Sequence, residues 1–348
     1  MSTSGCDRID FVDFGRGLSI LSIVLFHYLD RSIVGGVSRA FVFGAAGVHL
    51  FMLLSGFGLM LSRFSASPGV FYRRRLVKIL VPYYLFVTLA FIINTIHTYY
   101  PGAGLYAYLG HLFWFKMFDA RIIGSFGGQL WFLSTIIACY LVFPLLRWLM
   151  QRLGATRFVL AACVISAGYT ITITALGVTG SHAVRRFILQ YLWEFCAGMA
   201  LGAAYKRSGF LVWDRPAWVL GPAAVAGFAG MALVARIAPG LTYVFDAAPS
   251  LVGFTAALAL LHAACERFAL RLHAAGVFLG DISFELFLVH MLVKAMLRPF
   301  LPQGTGLVGA TVWVLVAVTT SIGVAVLFKR LARPVVATVE KALLPRYA

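Results

Sequence analysis

The stretch FVDFGRGLSILSIVLFHYLD, residues 11–30, decides the fold of this chain. It is a predominantly apolar run of the length that a helix needs to cross the hydrocarbon of a bilayer. Ten residues separate Arg16 from His27, so a helix returns both to nearly the same face, roughly 16 Å apart along its axis. Polar side chains on one stripe of a membrane helix indicate a functional site, because lipid makes them costly. The alternative is a snorkelling arginine and a histidine satisfied in the core.

The composition of the whole chain indicates the same class of protein. Of its 348 residues, 61% are hydrophobic and 12% are charged, whereas a water-soluble domain carries about twice that charged fraction. Apolar runs recur with no large soluble block or repeat between them, which predicts a single domain over residues 1–348. The predicted fold class is therefore all-α, a polytopic membrane helix bundle. The ten predicted spans are 11–30, 42–62, 79–97, 129–149, 158–178, 187–205, 217–236, 248–264, 275–296 and 306–328.

Basic residues predict the orientation of this bundle. If the N-terminus is cytoplasmic, 20 of the 29 lysines and arginines fall on the inner side, as the positive-inside rule requires. Both termini are then cytoplasmic. The net charge of +17 is spread over short inner loops beside anionic lipid headgroups, so it does not indicate nucleic-acid binding.

Cysteines and histidines are the side chains that most often carry metals or chemistry. The five cysteines form no CxxC pair and fall mostly inside apolar runs, which predicts neither a disulfide framework nor a metal site. Three of the eight histidines are interpreted as intramembrane and are candidates for function, namely His27, His49 and His290, whereas His97 and His262 fall at span ends that border loops. The other five are interpreted as solvated or interfacial, namely His97, His111, His182, His262 and His273.

A second feature is the basic inner loop SRFSASPGVFYRRRLVKILVPYY, residues 62–84. Its consecutive arginines, Arg73, Arg74 and Arg75, suit bidentate contacts to phosphate. Anchoring to anionic lipid explains the same cluster equally well. Together with Arg16 and His27, the cluster suits a long phosphorylated ligand whose reactive end enters the bundle, and coenzyme A has that shape.

These residues resemble the membrane acyltransferase 3 family of O-acyltransferases, which modify surface glycans. The first-helix signature is a basic residue and a histidine with ten residues between them in a D-x-x-R-G context, here Asp13, Arg16, Gly17 and His27. The likeness continues in chain order over most of the sequence. Further matches are GVHLFMLLSGFGLM (47–60), FYRRRLVKILVPYY (71–84), QLWFLSTIIACYLVFPLL (129–146), WEFCAGMALG (193–202) and GDISFELFLVH (280–290). Phe284 and Phe287 stand where the family usually has tyrosines.

The resemblance implies an enzyme of the bacterial inner membrane that moves an acyl group, usually acetyl, from cytoplasmic acyl-CoA to a carbohydrate hydroxyl. The acceptor would be an exopolysaccharide, lipopolysaccharide or lipid-linked oligosaccharide. Acyl-CoA is the donor substrate, and no permanently bound cofactor is implied. The site residues that we predict are His27, Arg16 and Glu194 for catalysis, Arg73, Arg74 and Arg75 for the donor, and Asp13, Ser134, Tyr140, Ser283 and His290 as supporting residues.

The chemistry of O-acylation suggests roles for the first-helix pair. Removing the acceptor's proton needs a base, and an imidazole with a pKa near 6.5 suits that task at neutral pH. His27 is the candidate base, or it attacks the thioester and carries the acyl group itself. Arg16 either pairs with Asp13 one turn earlier or steers the donor's phosphates. The stripe from Arg16 to His27 is comparable in length to an extended pantetheine arm, so we expect the acyl group to cross the membrane.

Other intramembrane polar residues leave several interpretations open. Glu194 is the only acidic residue in its span, so it is expected to be protonated or paired, and Arg185 and Arg186 are nearby basic residues. Its role is to orient His27 or the acceptor, or to form a structural ion pair. Ser283 and His290 share a helix face, which favours interhelical hydrogen bonds. His49 is interpreted as a packing or lid residue.

Two other functions fit a polytopic bundle with intramembrane charges. A transporter or flippase of a polar or glycolipid solute has similar features, although paired broken helices in corresponding halves are not evident. A membrane acyltransferase with a lipid acceptor is the second alternative. The sequence does not identify the acyl group, the glycan or the oligomeric state.

Overall fold

The computed structural model describes residues 9–29, 42–62, 67–210, 213–301 and 306–343. Of the described residues, 85% are helical and none lies in a strand, so the all-α prediction is confirmed. The predicted cytoplasmic placement of the two termini concerns residues outside these ranges and stays a prediction.

The described residues form fourteen α-helices, some of which are long and apolar and some of which are short and connect the long ones. Their bounds are α1 Asp10–Tyr28, α2 Gly47–Leu61, α3 Pro68–Ile96, α4 Leu105–Leu112, α5 Trp131–Leu153, α6 Ala155–Ala175, α7 His182–Arg185, α8 Ile188–Ser208, α9 Ala217–Ile237, α10 Thr242–Phe245, α11 Ala247–Phe268, α12 Leu270–Asp281, α13 Ser283–Leu297 and α14 Gly306–Leu343. Short 3-10 turns cover Val42–Ala46, Phe115–Phe118, Gly128–Leu130 and Pro239–Leu241.

The prediction of about ten spans is confirmed as nine to ten, and three of the predicted spans need correction. Among the described residues, nine helices are long and apolar enough to cross a bilayer, and a tenth span results if α12 and α13 count as one. The span predicted over 275–296 is thus broken at Ile282. Helix α3 begins at Pro68, eleven residues before the predicted start, because proline at the first turn opens a helix well before the chain becomes apolar. Helix α14 continues to Leu343.

The described residues divide into two compact units, each assembled from separate chain segments. The first lies within Met1–Phe26, Arg39–Phe64 and Leu145–Ser283, and the second within His27–Ser38, Ser65–Pro144 and Phe284–Ala348. Most of α1 therefore belongs to the first unit, whereas its last turn belongs to the second. The single functional domain over residues 1–348 stays a prediction.

Glycines set the packing inside the first unit, where α2 crosses α8 at close range. A methyl group on Gly56 would lie 2.1 Å from the carbonyl oxygen of Phe195, and one on Gly198 would lie 1.9 Å from that of Leu53. Such contacts are possible only because glycine lacks a side chain, a common device for helix association in lipid. Gly17 likewise allows α1 to approach α12 closely. A methyl group on Gly17 would lie 2.1 Å from the carbonyl oxygen of Gly276.

The second unit is built around α3 and α14, which pack on one another. Phe86 meets Phe328 edge to face, with ring centroids 6.4 Å apart. Helix α4 packs on the far end of α3, where Phe91 stacks on Tyr108 at 4.6 Å. The unit therefore holds the chain segment 105–130 against the end of α3 that lies farthest from Pro68.

One surface shows directly that the helices are built for lipid. Leu160, Val164 and Ile171 of α6 share a helix face and are 59%, 71% and 64% exposed. Large apolar side chains on a contiguous exposed stripe are costly in water and favourable in hydrocarbon. The protein is therefore an integral membrane protein.

Candidate active site

The end of α1 places His27 against α13 within the second unit. Nδ1 of His27 lies 3.1 Å from Nε2 of His290, and the two rings are tilted by 37° with centroids 5.0 Å apart. His290 is fully buried, whereas His27 is half-buried. Two of the residues predicted to form the site are thus brought into direct contact, and the expected interhelical hydrogen bond of His290 is confirmed.

The last turn of α1 is also fixed through its backbone. Carbonyl groups at a helix C-terminus lack intrahelical partners and need donors from elsewhere. The ammonium group of Lys294 donates to the carbonyl oxygen of His27, and Trp313 Nε1 donates to that of Tyr28 at 3.3 Å. The Tyr28 hydroxyl donates in turn to the carbonyl oxygen of His290 at 2.7 Å and hydrogen-bonds Ser321. His27 therefore sits on a rigid support.

Arg16 lies in the first unit and pairs with Asp13, which is one of the two interpretations that the sequence allows. Its guanidinium is 3.5 Å from the carboxylate of Asp13, which is buried, while a third of the Arg16 side chain is exposed. Gly58 of α2 makes room for the guanidinium, because a methyl group there would lie 2.9 Å from an Arg16 nitrogen.

Glu194 pairs with a residue that the sequence did not suggest. Its carboxylate lies 2.8 Å from Nδ1 of His49, and Nε2 of His49 lies 3.4 Å from the carboxylate of Asp246. All three side chains are buried. The expected pairing of Glu194 is confirmed, but His49 provides the partner in place of Arg185 or Arg186. His49, interpreted as a packing or lid residue, has both ring nitrogens facing carboxylates that would otherwise be buried without compensating charge, which is a structural role.

Arg73, Arg74 and Arg75 lie in the first turns of α3 and not in a loop. Consecutive helical residues point about 100° apart, so the three side chains fan out and do not converge on one point. Arg73 donates to the carbonyl oxygen of Leu343 at 3.3 Å. Arg74 and the neighbouring Lys78 are exposed.

The comparisons with known proteins can now be set beside this geometry. A family model described as an acyltransferase domain, that of the membrane acyltransferase 3 family, matches residues 9–330. The chain belongs to this family. Neither the curated proteins nor the solved structures yield a match. The protein is accordingly a membrane acyltransferase, and the matched range includes every residue predicted for its site.

Three predicted supporting residues of the acyltransferase have no shown role. Ser134 lies in α5, and its buried hydroxyl has no hydrogen-bond partner among the described residues. Tyr140 is half-buried on the same helix. Ser283 is buried at the start of α13. Their parts in the site stay predictions.

His111 corrects the interpretation of the histidines outside the spans. It is fully buried, although it was expected to be solvated or interfacial. Nδ1 lies 2.9 Å from the Tyr83 hydroxyl and Nε2 lies 2.8 Å from the Ser125 hydroxyl. Burial, together with the charge of Lys116, lowers the pKa of His111 to about 2, so the ring is neutral. The hydrogen bonds of Tyr83, His111 and Ser125 therefore hold α3, α4 and the turn that contains Ser125 together.

Sequence reasoning missed the residues that hold the last turn of α1. Lys294, Trp313 and Ser321 come from two helices far along the chain, and no local pattern links them to His27. One signal was present: Lys294 is a lone ammonium within the span predicted over 275–296, one turn beyond His290. An ammonium there needs a buried acceptor, and a helix end supplies one.

Proposed function

We propose that this acyltransferase uses acyl-CoA, with acetyl as the expected acyl group, to O-acylate a carbohydrate exposed beyond a bacterial inner membrane. The observation that carries the proposal is the half-buried imidazole of His27, hydrogen-bonded at 3.1 Å to His290 in a bundle of predominantly apolar helices. An imidazole held in place and partly open is what proton removal from a hydroxyl requires.

The reaction needs few protein groups. The acceptor oxygen attacks the thioester carbonyl as His27 takes the hydroxyl proton, so a carbon–oxygen bond forms. The carbon–sulfur bond then breaks, and the departing thiolate takes the proton from His27. No oxidant, reductant or metal enters this balance, and a single base completes it.

Donor binding is assigned to the basic start of α3. The exposed Arg74 and the adjacent Arg75, near the start of α3, offer guanidinium groups to the phosphates of coenzyme A. Since Arg73 is engaged with the backbone of α14, Arg74 and Arg75 are the residues best able to bind phosphate.

A second mechanism uses the same imidazole as an acyl carrier. The two mechanisms differ when acyl-CoA is supplied without an acceptor. A carrier releases one coenzyme A per protein in a rapid burst, whereas a base releases none. Rapid mixing of purified protein with acetyl-CoA and a thiol reagent measures this burst.

The function itself is tested on cells with and without the gene. Mass spectrometry of extracted surface polysaccharides should show acyl groups that depend on the gene and disappear in the His27→Ala variant. His97→Ala is the matched control, since His97 is exposed at the end of α3. Gene-dependent acylation confined to lipids would replace the carbohydrate acceptor by a lipid. Solute movement without acylation would replace the enzyme by a transporter.

The side of the membrane is tested in sealed proteoliposomes of known orientation. Acetyl-CoA supplied only to the face bearing Arg73 should support acylation of an acceptor on the opposite face. A requirement for both substrates on the Arg73 face would refute transfer across the membrane while leaving the acyl transfer itself in place.

A further inference from the structure

The hydrogen bonds around His290 determine which of its nitrogens carries the proton. Nδ1 of His290 faces two backbone carbonyl oxygens of its own helix, at 3.0 Å to Leu286 and 2.9 Å to Phe287. Carbonyl oxygens only accept hydrogen bonds, so Nδ1 must be the protonated nitrogen. If the ring is neutral, Nε2 then carries the lone pair and is an acceptor.

This constraint passes to His27 across the 3.1 Å contact. An acceptor at Nε2 of His290 requires a donor at Nδ1 of His27. In a neutral imidazole only one nitrogen carries a proton, so the lone pair of His27 lies on Nε2. We propose that His290 is a positioning residue, which holds His27 in the Nδ1-protonated form so that Nε2 is the nitrogen that reacts. This inference rests on the proposed function of His27.

The surroundings of His290 make this constraint rigid. Gln129 donates to the carbonyl oxygens of Phe287 and Leu288, at 3.4 and 3.2 Å, and so braces the turn that His290 hydrogen-bonds. Lys294, one turn further along α13, binds the backbone of His27. A ring held on one side and a backbone held on the other leave His27 little freedom to rotate and exchange its two nitrogens.

The same contact serves the transition state. When Nε2 takes the proton of the acceptor hydroxyl, the His27 ring becomes an imidazolium whose Nδ1–H still points at the lone pair of His290. That hydrogen bond becomes charge-assisted and therefore stronger as the reaction proceeds. Losing the partner removes a contact made best in the transition state, so the loss falls on kcat and not on KM.

The tautomer can be measured without any assay of activity. In protein labelled with nitrogen-15 histidine and placed in lipid nanodiscs, a nitrogen with a lone pair resonates far from one that carries hydrogen. The His27 signals are assigned by their absence in His27→Asn. We expect the wild type to show Nδ1–H for His27, and His290→Leu to show a mixture of both forms.

Two variants separate positioning from folding. His290→Gln presents a side-chain oxygen that can still accept from Nδ1–H of His27, so it should keep the tautomer and most of kcat. His290→Leu should lose about 10- to 100-fold in kcat, by analogy with hydrogen-bond partners that orient metal-ligating histidines, with KM for acyl-CoA unchanged. The kcat and the melting temperature of both variants are measured beside those of the exposed control His97→Leu. A variant whose melting temperature matches that of the control is folded, so its loss of kcat reports on positioning.

The outcomes distinguish this inference from the proposed function. An Nε2–H form of His27 in the wild type, or an unchanged tautomer in His290→Leu, would overturn it. So would equal kcat in His290→Leu and wild type. A protein that shows the expected tautomers but no acyl transfer would support the positioning by His290 and would reject the function assigned to His27.

Discussion

His27 and His49 are both histidines inside membrane helices, and the structure surrounds them in opposite ways. His49 is buried with each ring nitrogen near a carboxylate, at 2.8 Å for Glu194 and 3.4 Å for Asp246. His27 is half-buried and forms a hydrogen bond of 3.1 Å with the imidazole of His290. The first arrangement balances buried charge between α2, α8 and the turn that holds Asp246, whereas the second leaves an imidazole partly exposed, as the proposed base requires. Being inside a span therefore does not by itself make a histidine catalytic.

Replacing His49 should show the larger effect on folding. His49→Leu leaves two buried carboxylates without their counter-charge, which costs about 3–5 kcal/mol of stability when a buried pair is broken. The melting temperature in a fixed detergent should fall sharply. The double variant His49→Leu with Glu194→Leu should recover part of the loss, because one of the uncompensated charges is gone. Equal melting temperatures for His49→Leu and wild type would remove the contrast with His27.

Replacing the arginines of α3 tests whether coenzyme A binds at the start of this helix. Changing Arg73, Arg74 and Arg75 together to Gln should weaken acyl-CoA binding at least tenfold, since each charge-assisted hydrogen bond contributes about 1.5–3 kcal/mol. The remaining affinity should depend less on salt. Isothermal titration measures both quantities.

Single variants sharpen this prediction. Arg74→Gln should weaken binding more than Arg73→Gln, because Arg73 is committed to the carbonyl oxygen of Leu343. Arg152→Gln, an exposed arginine at the end of α5, is the matched control. Unchanged affinity in the triple variant would make the cluster a topology signal, with the donor bound elsewhere.

His111 gives the smallest expected effect, on the pH dependence of stability. Its pKa is lowered to about 2 in the folded protein from about 6.5 in the unfolded chain. The unfolded chain therefore binds more protons between these values, so stability is full above pH 6.5 and falls as the solution is acidified. In His111→Gln the melting temperature should fall less steeply below pH 6.5. Parallel curves for the variant and the wild type would contradict a neutral, buried His111.

The sequence predicts the spans well because hydropathy reports what lipid requires. It fails where a helix leaves the lipid: the first turns of α3 are rich in arginine, which favours helix but lowers hydropathy, so the predicted start falls eleven residues late. The break at Ile282 was also missed, because both flanking segments are apolar. A hydropathy window does not register a change in chain direction.

The site was predictable in part for the same kind of reason. Arg16 and Asp13 are one helical turn apart, and their pairing follows from spacing alone. His27 and His290 are 263 positions apart, so their contact depends on the tertiary fold. The partners of Glu194 and the burial of His111 also come from distant segments. Residue types indicated the candidates, and the fold selected among them.

The central claim is that His27 supplies the reactive imidazole, and one comparison tests it most directly. Purified His27→Ala and wild type are assayed for acyl transfer from acetyl-CoA at equal folded concentration, with melting temperatures measured alongside. Loss of a general base costs about 10²- to 10⁴-fold in rate, so turnover should fall by that factor. The melting temperature should change little, because no buried charge is left without a partner. A well-folded His27→Ala protein that keeps more than about a tenth of wild-type turnover would contradict the claim.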